Sequence, residues 1–187
     1  MEIVLKKFDW IKIIAFGLVI FLSIDVIYLT IQNRELQEQH GNKGDILKEG
    51  DEVKNFVGEA LDGTKIDISF SDSTRQYLFF VLSTSCPFCN NTLPLWNKLS
   101  MDLNSTNCNV IGISIHNLGQ TIKYVESAEV RFYVVSADSV FLTQFKIFSV
   151  PETILIKGDG TIKKIWRGEL SKSNIEEIHK LIASTLS

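Results

Sequence analysis

The sequence predicts an α/β domain, a central mixed sheet flanked by helices with a β-hairpin extension on its N-terminal side, carried behind one N-terminal transmembrane helix. Three observations predict it. Residues 13–31, IIAFGLVIFLSIDVIYLTI, are apolar apart from Asp25. Beyond residue 50, short apolar runs suited to strands alternate with stretches of helical periodicity. They follow one another as hairpin, then β-α-β-α-β-α, then hairpin and helix, the order of a sheet covered on both faces.

As a helix, the N-terminal run spans roughly 28 Å, close to the ~30 Å of bilayer hydrocarbon. Trp10 and Tyr28 stand near its ends, where aromatic belts form. No small-x-small cleavage site follows Ser23, so the segment reads as an uncleaved anchor rather than a signal peptide. No cysteine lies near it to carry a lipid. Lys6, Lys7 and Lys12 flank it on one side and only Arg34 lies close on the other. The positive-inside rule therefore puts the N-terminus in the cytoplasm and the rest of the chain in an oxidising, periplasmic or extracellular space. Asp25 lies toward the outer end, where water access keeps its cost low; pairing with a partner membrane protein is the alternative. The chain thus divides into a cytoplasmic N-terminus and anchor (1–33), a polar, glycine-dotted flexible tether with a solvated His40 (34–50), and a domain (51–187).

Within the domain, NFVGEALDGTKIDISF carries Asp62-Gly63 between apolar stretches, a hairpin signal. QYLFFVLS, residues 76–83, is a continuous apolar run suited to a central strand. Leu93, Trp96, Leu99 and Leu103 then recur at helical spacing over about 87–104, with Pro94 inside the helix. A second buried strand follows at 109–116, a short helix at about 119–127, a strand at 131–135 and a helical stripe through Val140, Phe141, Gln144 and Phe145. Residues 152–168 form a hairpin turned at Gly158-Asp159-Gly160. A final helix starts near Ser173, with Ser173 and Glu176 as a capping box.

The net charge of −3 gives no basic footprint for nucleic acid, and three cysteines are too few for a disulfide-built scaffold. Two of them stand in LSTSCPFCNN, residues 82–91. Cys86 falls where the buried strand meets the helix. Free N–H groups and the helix dipole there favour a thiolate. Pro87 suits the first helical position, which needs no N–H. Cys89, one turn on, can close a disulfide with Cys86. Cys86 then reads as the exposed nucleophile and Cys89 as the shielded resolving thiol. Structural zinc needs four ligands, whereas His40, His116 and His179 are scattered. A staple across so short a loop removes little chain entropy. Redox chemistry is the reading that fits.

CPFC at a helix start, together with VPET at residues 150–153 just before a strand, resembles the thioredoxin-like fold. The resemblance implies that Pro151 is cis and that the backbone of Val150 is free to pair with an extended peptide substrate. The closer resemblance is to membrane-anchored thiol–disulfide oxidoreductases of the TlpA, ResA and CcmG (DsbE) group, over about residues 50–186. It implies a thiol–disulfide oxidoreductase, acting mostly as a reductase in cytochrome c maturation or general thiol reduction. It also implies protein disulfide substrates such as apocytochrome c, a membrane electron donor of the CcdA/DsbD type, no cofactor besides the Cys86–Cys89 disulfide, and no metal. Glu59 aligns with a carboxylate that this branch places near the cysteines, where it would accept a proton from Cys89.

The sequence departs from that group at Ser85, where most members carry Trp, and at Phe88, where many carry Pro. Pro87 and Phe88 therefore tune the site; with no charge at Phe88, a less oxidising pair than that of DsbA is expected. The stretch is also similar to MauD-like maturation factors. A thiol peroxidase of the same fold lacks support, because no Pro-x-x-x-Thr/Ser-x-x-Cys setting precedes Cys86. A Sco-like metallochaperone would space its cysteines one residue further apart. Cys108 reads as a buried small hydrophobe, and His116 as a strand-end residue on the active-site side.

Overall fold

The computed structural model describes residues 2–40, 46–104 and 106–184. It divides into two compact units, Met1–Ile46 and Leu47–Ser187.

Among the described residues, the first unit contains one helix, α1 (Glu2–His40). Its stretch Lys12–Thr30, 19 residues with mean hydropathy 2.4, is long and apolar enough to cross a membrane. Ser23 and Thr30 turn their hydroxyls back onto the carbonyls of Val19 and Val26 at 2.8 and 2.6 Å, which satisfies them within the helix. The helix runs on through residues 34–40, the beginning of the stretch read as tether. Gln, Arg, Glu and Leu there are good helix formers. The side chains of Lys6, Lys7, Arg34 and His40, and residues 41–45 of the tether, lie outside the described residues.

The second unit contains β1 (Phe56–Ala60), β2 (Lys65–Ile68), β3 (Gln76–Leu82), α2 (Pro87–Leu103), β4 (Cys108–Ser114), α3 (Leu118–Ser127), β5 (Tyr133–Ala137), α4 (Ser139–Phe145), β6 (Glu152–Lys157), β7 (Ile162–Arg167) and α5 (Lys172–Ala183). The strands form one sheet in the order β2-β1-β5-β4-β3-β6-β7. The β3–β4 and β4–β5 pairs are parallel and the others antiparallel.

Strand β3 is buried along its whole length, and the two-residue period of a strand divides it between two cores. Leu78, Phe80 and Leu82 face a core shared with Leu93, Trp96 and Leu99 of α2, Tyr124 of α3, and Ile178 and Ile182 of α5. Tyr77, Phe79 and Val81 face the other, with Phe56, Phe141 and Phe145. The rings of Phe141 and Phe145 stack there at 4.2 Å, with Phe56 tilted against Phe141 and edge-on to Phe145.

The β6–β7 turn leans on glycine twice. Gly160 has φ +87°, and a Cβ on Gly158 would come within 1.7 Å of the Asp72 carbonyl oxygen. One expectation is corrected at α5. The capping box is Ser171 with Asn174, not Ser173 with Glu176. The Asn174 N–H donates to Ser171 Oγ at 3.2 Å, and the Ser171 N–H donates to Asn174 Oδ1 at 2.8 Å. Either serine can cap by residue type; Leu170, just before Ser171, is buried.

Candidate active site

The site forms where β3 gives way to α2. The Cys86 N–H donates to the Ser83 carbonyl at 3.2 Å, closing a turn that brings Cys86 to the helix N-cap. Pro87 follows in the first turn, where a missing N–H costs nothing. The Cys86 sulfur accepts the Cys89 N–H at 3.4 Å, so a cysteine fills the role that serine or aspartate usually has at a cap.

The two thiols have opposite surroundings. Cys86 is half-buried and Cys89 has no exposure. Burial pushes the Cys89 thiol up to about 12; a hydrogen bond from the Ser83 backbone opposes this and the neighbouring Cys86 adds to it. The Cys86 thiol points at the Val150 carbonyl oxygen, 3.6 Å away. The Val150–Pro151 peptide is cis. Phe88, between the cysteines, is 58% exposed.

Behind Pro151 lies a carboxylate that is almost wholly buried. Glu152 Oε1 pairs with Arg167 Nε at 3.2 Å and accepts from Ser149 Oγ at 3.4 Å. Burial nevertheless raises Glu152 above its ordinary value, with Arg167 and Ser149 opposing. Arg167 also donates to the Leu47 carbonyl at 2.6 Å and lies 5.7 Å from the centre of the Phe148 ring.

Glu59 is not brought to the cysteines. Its register runs to Ser136 on β5, then Ser114 on β4, then Leu82 on β3. Three strand spacings amount to roughly 14 Å. The hairpin joins the sheet beside β5, so this carboxylate belongs to an outer strand pair. Cys108 opens β4 opposite Gln76, at the far end of β3 from Cys86. About 20 Å of strand, the length of β3, lies between it and the end that leads to Cys86, and burial pushes its thiol up to about 12.

Three neighbours of the pair escaped sequence reasoning. Ser83 joins the turn to β4: its Oγ lies 2.8 Å from His116 Nε2 and 3.3 Å from Ser85 Oγ, and His116 Nδ1 lies 3.2 Å from Gln120 Oε1. Tyr124 donates to Asn90 Oδ1 at 2.9 Å and is pushed up to about 12, first by burial and then by the nearby cysteines. Thr92 is buried on α2, one turn past Cys89. Among the described residues, no three His, Cys, Asp or Glu side chains converge to hold a metal ion.

An accessible thiol on a helix N-cap, a shielded thiol one turn in, and a cis-proline loop facing the first define a thioredoxin-like thiol–disulfide oxidoreductase. The chain belongs to the AhpC/TSA family, whose sequence profile matches residues 50–165. It is 24% identical over 149 residues to the thiol–disulfide oxidoreductase ResA of Bacillus cereus, covering 79% of this chain and 86% of that one. The thioredoxin domain of a thiol–disulfide oxidoreductase from Bacteroides vulgatus shares its fold, with a TM-score of 0.61 at 18% identity over 73% of this chain and 99% of that one. So does a secreted Mycobacterium tuberculosis disulfide oxidoreductase homologous to Escherichia coli DsbE, with a TM-score of 0.55 at 19% identity over 69% and 95% of the two chains.

Proposed function

We propose that this protein is a membrane-tethered, extracytoplasmic reductase of protein disulfides. The contrast between a reachable Cys86 and a hidden Cys89 carries the reading. The Cys86 thiolate attacks a substrate disulfide; a Cys86–substrate bond forms and the first substrate thiolate leaves. Cys89 then loses its proton and attacks Cys86, the Cys86–substrate bond breaks, and the second substrate thiolate departs and takes up a proton. Two electrons have passed to the substrate and the pair is a disulfide. An extended substrate segment pairs with the Val150 backbone beside Pro151.

The apolar stretch of α1 and the excess of lysines before it support an anchor with a cytoplasmic N-terminus. A domain held outside the cytoplasm needs electrons supplied through the membrane, the task of a CcdA/DsbD-type donor. Substrates of the apocytochrome c kind fit the likeness to ResA.

Trapping tests the proposal. A Cys89→Ala variant should accumulate disulfide-linked complexes through Cys86, identifiable by mass spectrometry, while Cys86→Ala should not. Complexes trapped by Cys86→Ala instead would reverse the two roles, and none from either variant would reject the function.

A further inference from the structure

The resolving step has a cost that the thiols alone do not meet. Cys89 must become a thiolate while fully buried, in a setting that pushes it up to about 12. Exchange rates follow the fraction of attacking thiol that is ionised, so a donor aimed at this sulfur would speed the step.

One side chain on the same helical face has a donor to spare. Thr92 is 1% exposed, and its Oγ1 has no hydrogen-bond partner among the described residues. A threonine inside a helix ordinarily returns its hydroxyl to the carbonyl four residues back; this one does not. Buried polar groups are otherwise almost always paired, and an exception calls for a reason. Thr92 stands three residues after Cys89, and both belong to the buried stripe of α2 with Leu93 and Trp96. Residues so spaced are neighbours on a helix surface, and helical side chains tilt toward the N-terminus, here toward the turn that carries Cys89.

We infer that the Thr92 hydroxyl is the hydrogen-bond donor held for the Cys89 sulfur when that sulfur carries negative charge. It has no bond to lose in the resting protein, so the whole interaction is gained as the charge develops. The electrons and bonds of the step stay as written above; Thr92 keeps its own proton, and the proton lost by Cys89 is balanced by the one the departing thiolate takes up. This inference rests on Cys89 being the resolving thiol.

The test uses the full-length reduced protein in detergent and Ellman's disulfide as substrate. Attack by Cys86 releases one coloured thiolate, and resolution by Cys89 releases a second. Thr92→Val keeps the shape and removes the donor; Thr92→Ser restores it. The valine variant should show an unchanged first phase and a second phase slowed about tenfold. The serine variant should recover the second phase to within about twofold of the native rate, the hydroxyl being what both share. The thermal midpoint of the valine variant should equal or exceed that of the native protein, since an unpartnered buried hydroxyl is lost. A native second phase in the valine variant, no recovery with serine, or a lowered midpoint in the valine variant would each overturn the inference. If the native protein releases no second thiolate at all, the redox assignment fails instead.

Discussion

The Cys86 thiol faces the Val150 carbonyl oxygen at 3.6 Å, tying the start of α2 to the loop before β6 across 64 positions of sequence. The contact sets one sulfur beside a strip of backbone, while the second sulfur is fully buried. The surroundings that hold this arrangement lead to the following expectations.

Trp96 fixes α2 to β6. It is fully buried, donates to Thr153 Oγ1 at 2.9 Å and stacks on Phe80 at 5.1 Å. Trp96→Phe removes the donor, strands a buried hydroxyl and leaves a gap. Urea unfolding should show a loss of about 2–4 kcal/mol.

Glu152 makes stability depend on pH in a defined direction. Burial raises it above its ordinary value of 4.5 more than Arg167 lowers it. Between the unfolded and folded values the native protein keeps a proton that the unfolded chain has released. The stability this gives is full below the unfolded value and is lost as pH rises through the folded one. Glu152→Gln stays neutral throughout. Unfolding at about pH 4 and about pH 7 should show the variant gaining on the native protein as pH rises. An advantage that shrinks with pH would mean that pairing with Arg167 outweighs burial.

Two glycine substitutions should differ in sign. In Gly158→Ala the new Cβ meets the Asp72 carbonyl at 1.7 Å, whereas on Gly119, in the first turn of α3, it meets nothing nearer than 3.7 Å. The first should cost at least about 2 kcal/mol, and the second should be neutral or stabilising by about 0.5 kcal/mol. Thermal midpoints decide both.

Cys108 is buried in the core, at the far end of β3 from Cys86. Cys108→Ala should cost about 1 kcal/mol of stability. Dithiothreitol-driven insulin reduction should stay within about twofold of the native rate, given the ~20 Å of strand between Cys108 and the end that leads to Cys86.

Local signals carried much of this structure. The apolar run at 76–83 and the stripe through Leu93, Trp96, Leu99 and Leu103 mark β3 and α2, because burial on both faces and a 3.6-residue period leave direct traces in sequence. CPFC and VPET likewise mark the helix start and the loop that faces it. What stayed hidden depends on which strands become neighbours. The hairpin is legible from Asp62-Gly63, but nothing local says that β1 docks beside β5, which is what carries Glu59 away from the cysteines. Ser83 meets His116 across 33 positions and Tyr124 meets Asn90 across 34, contacts that exist only once β3, β4, α2 and α3 are assembled. At α5 the two serines are chemically equal as caps, so residue type alone does not tell Ser171 from Ser173.

The difference in reach between the two sulfurs is the claim on which the function turns, and timed alkylation measures it. The reduced full-length protein would be treated with limiting iodoacetamide at neutral pH and its cysteine peptides mapped by mass spectrometry. Cys86 should be modified first, with Cys89 and Cys108 labelled only after unfolding; Cys89 labelled as fast as Cys86 in the folded protein would contradict the account.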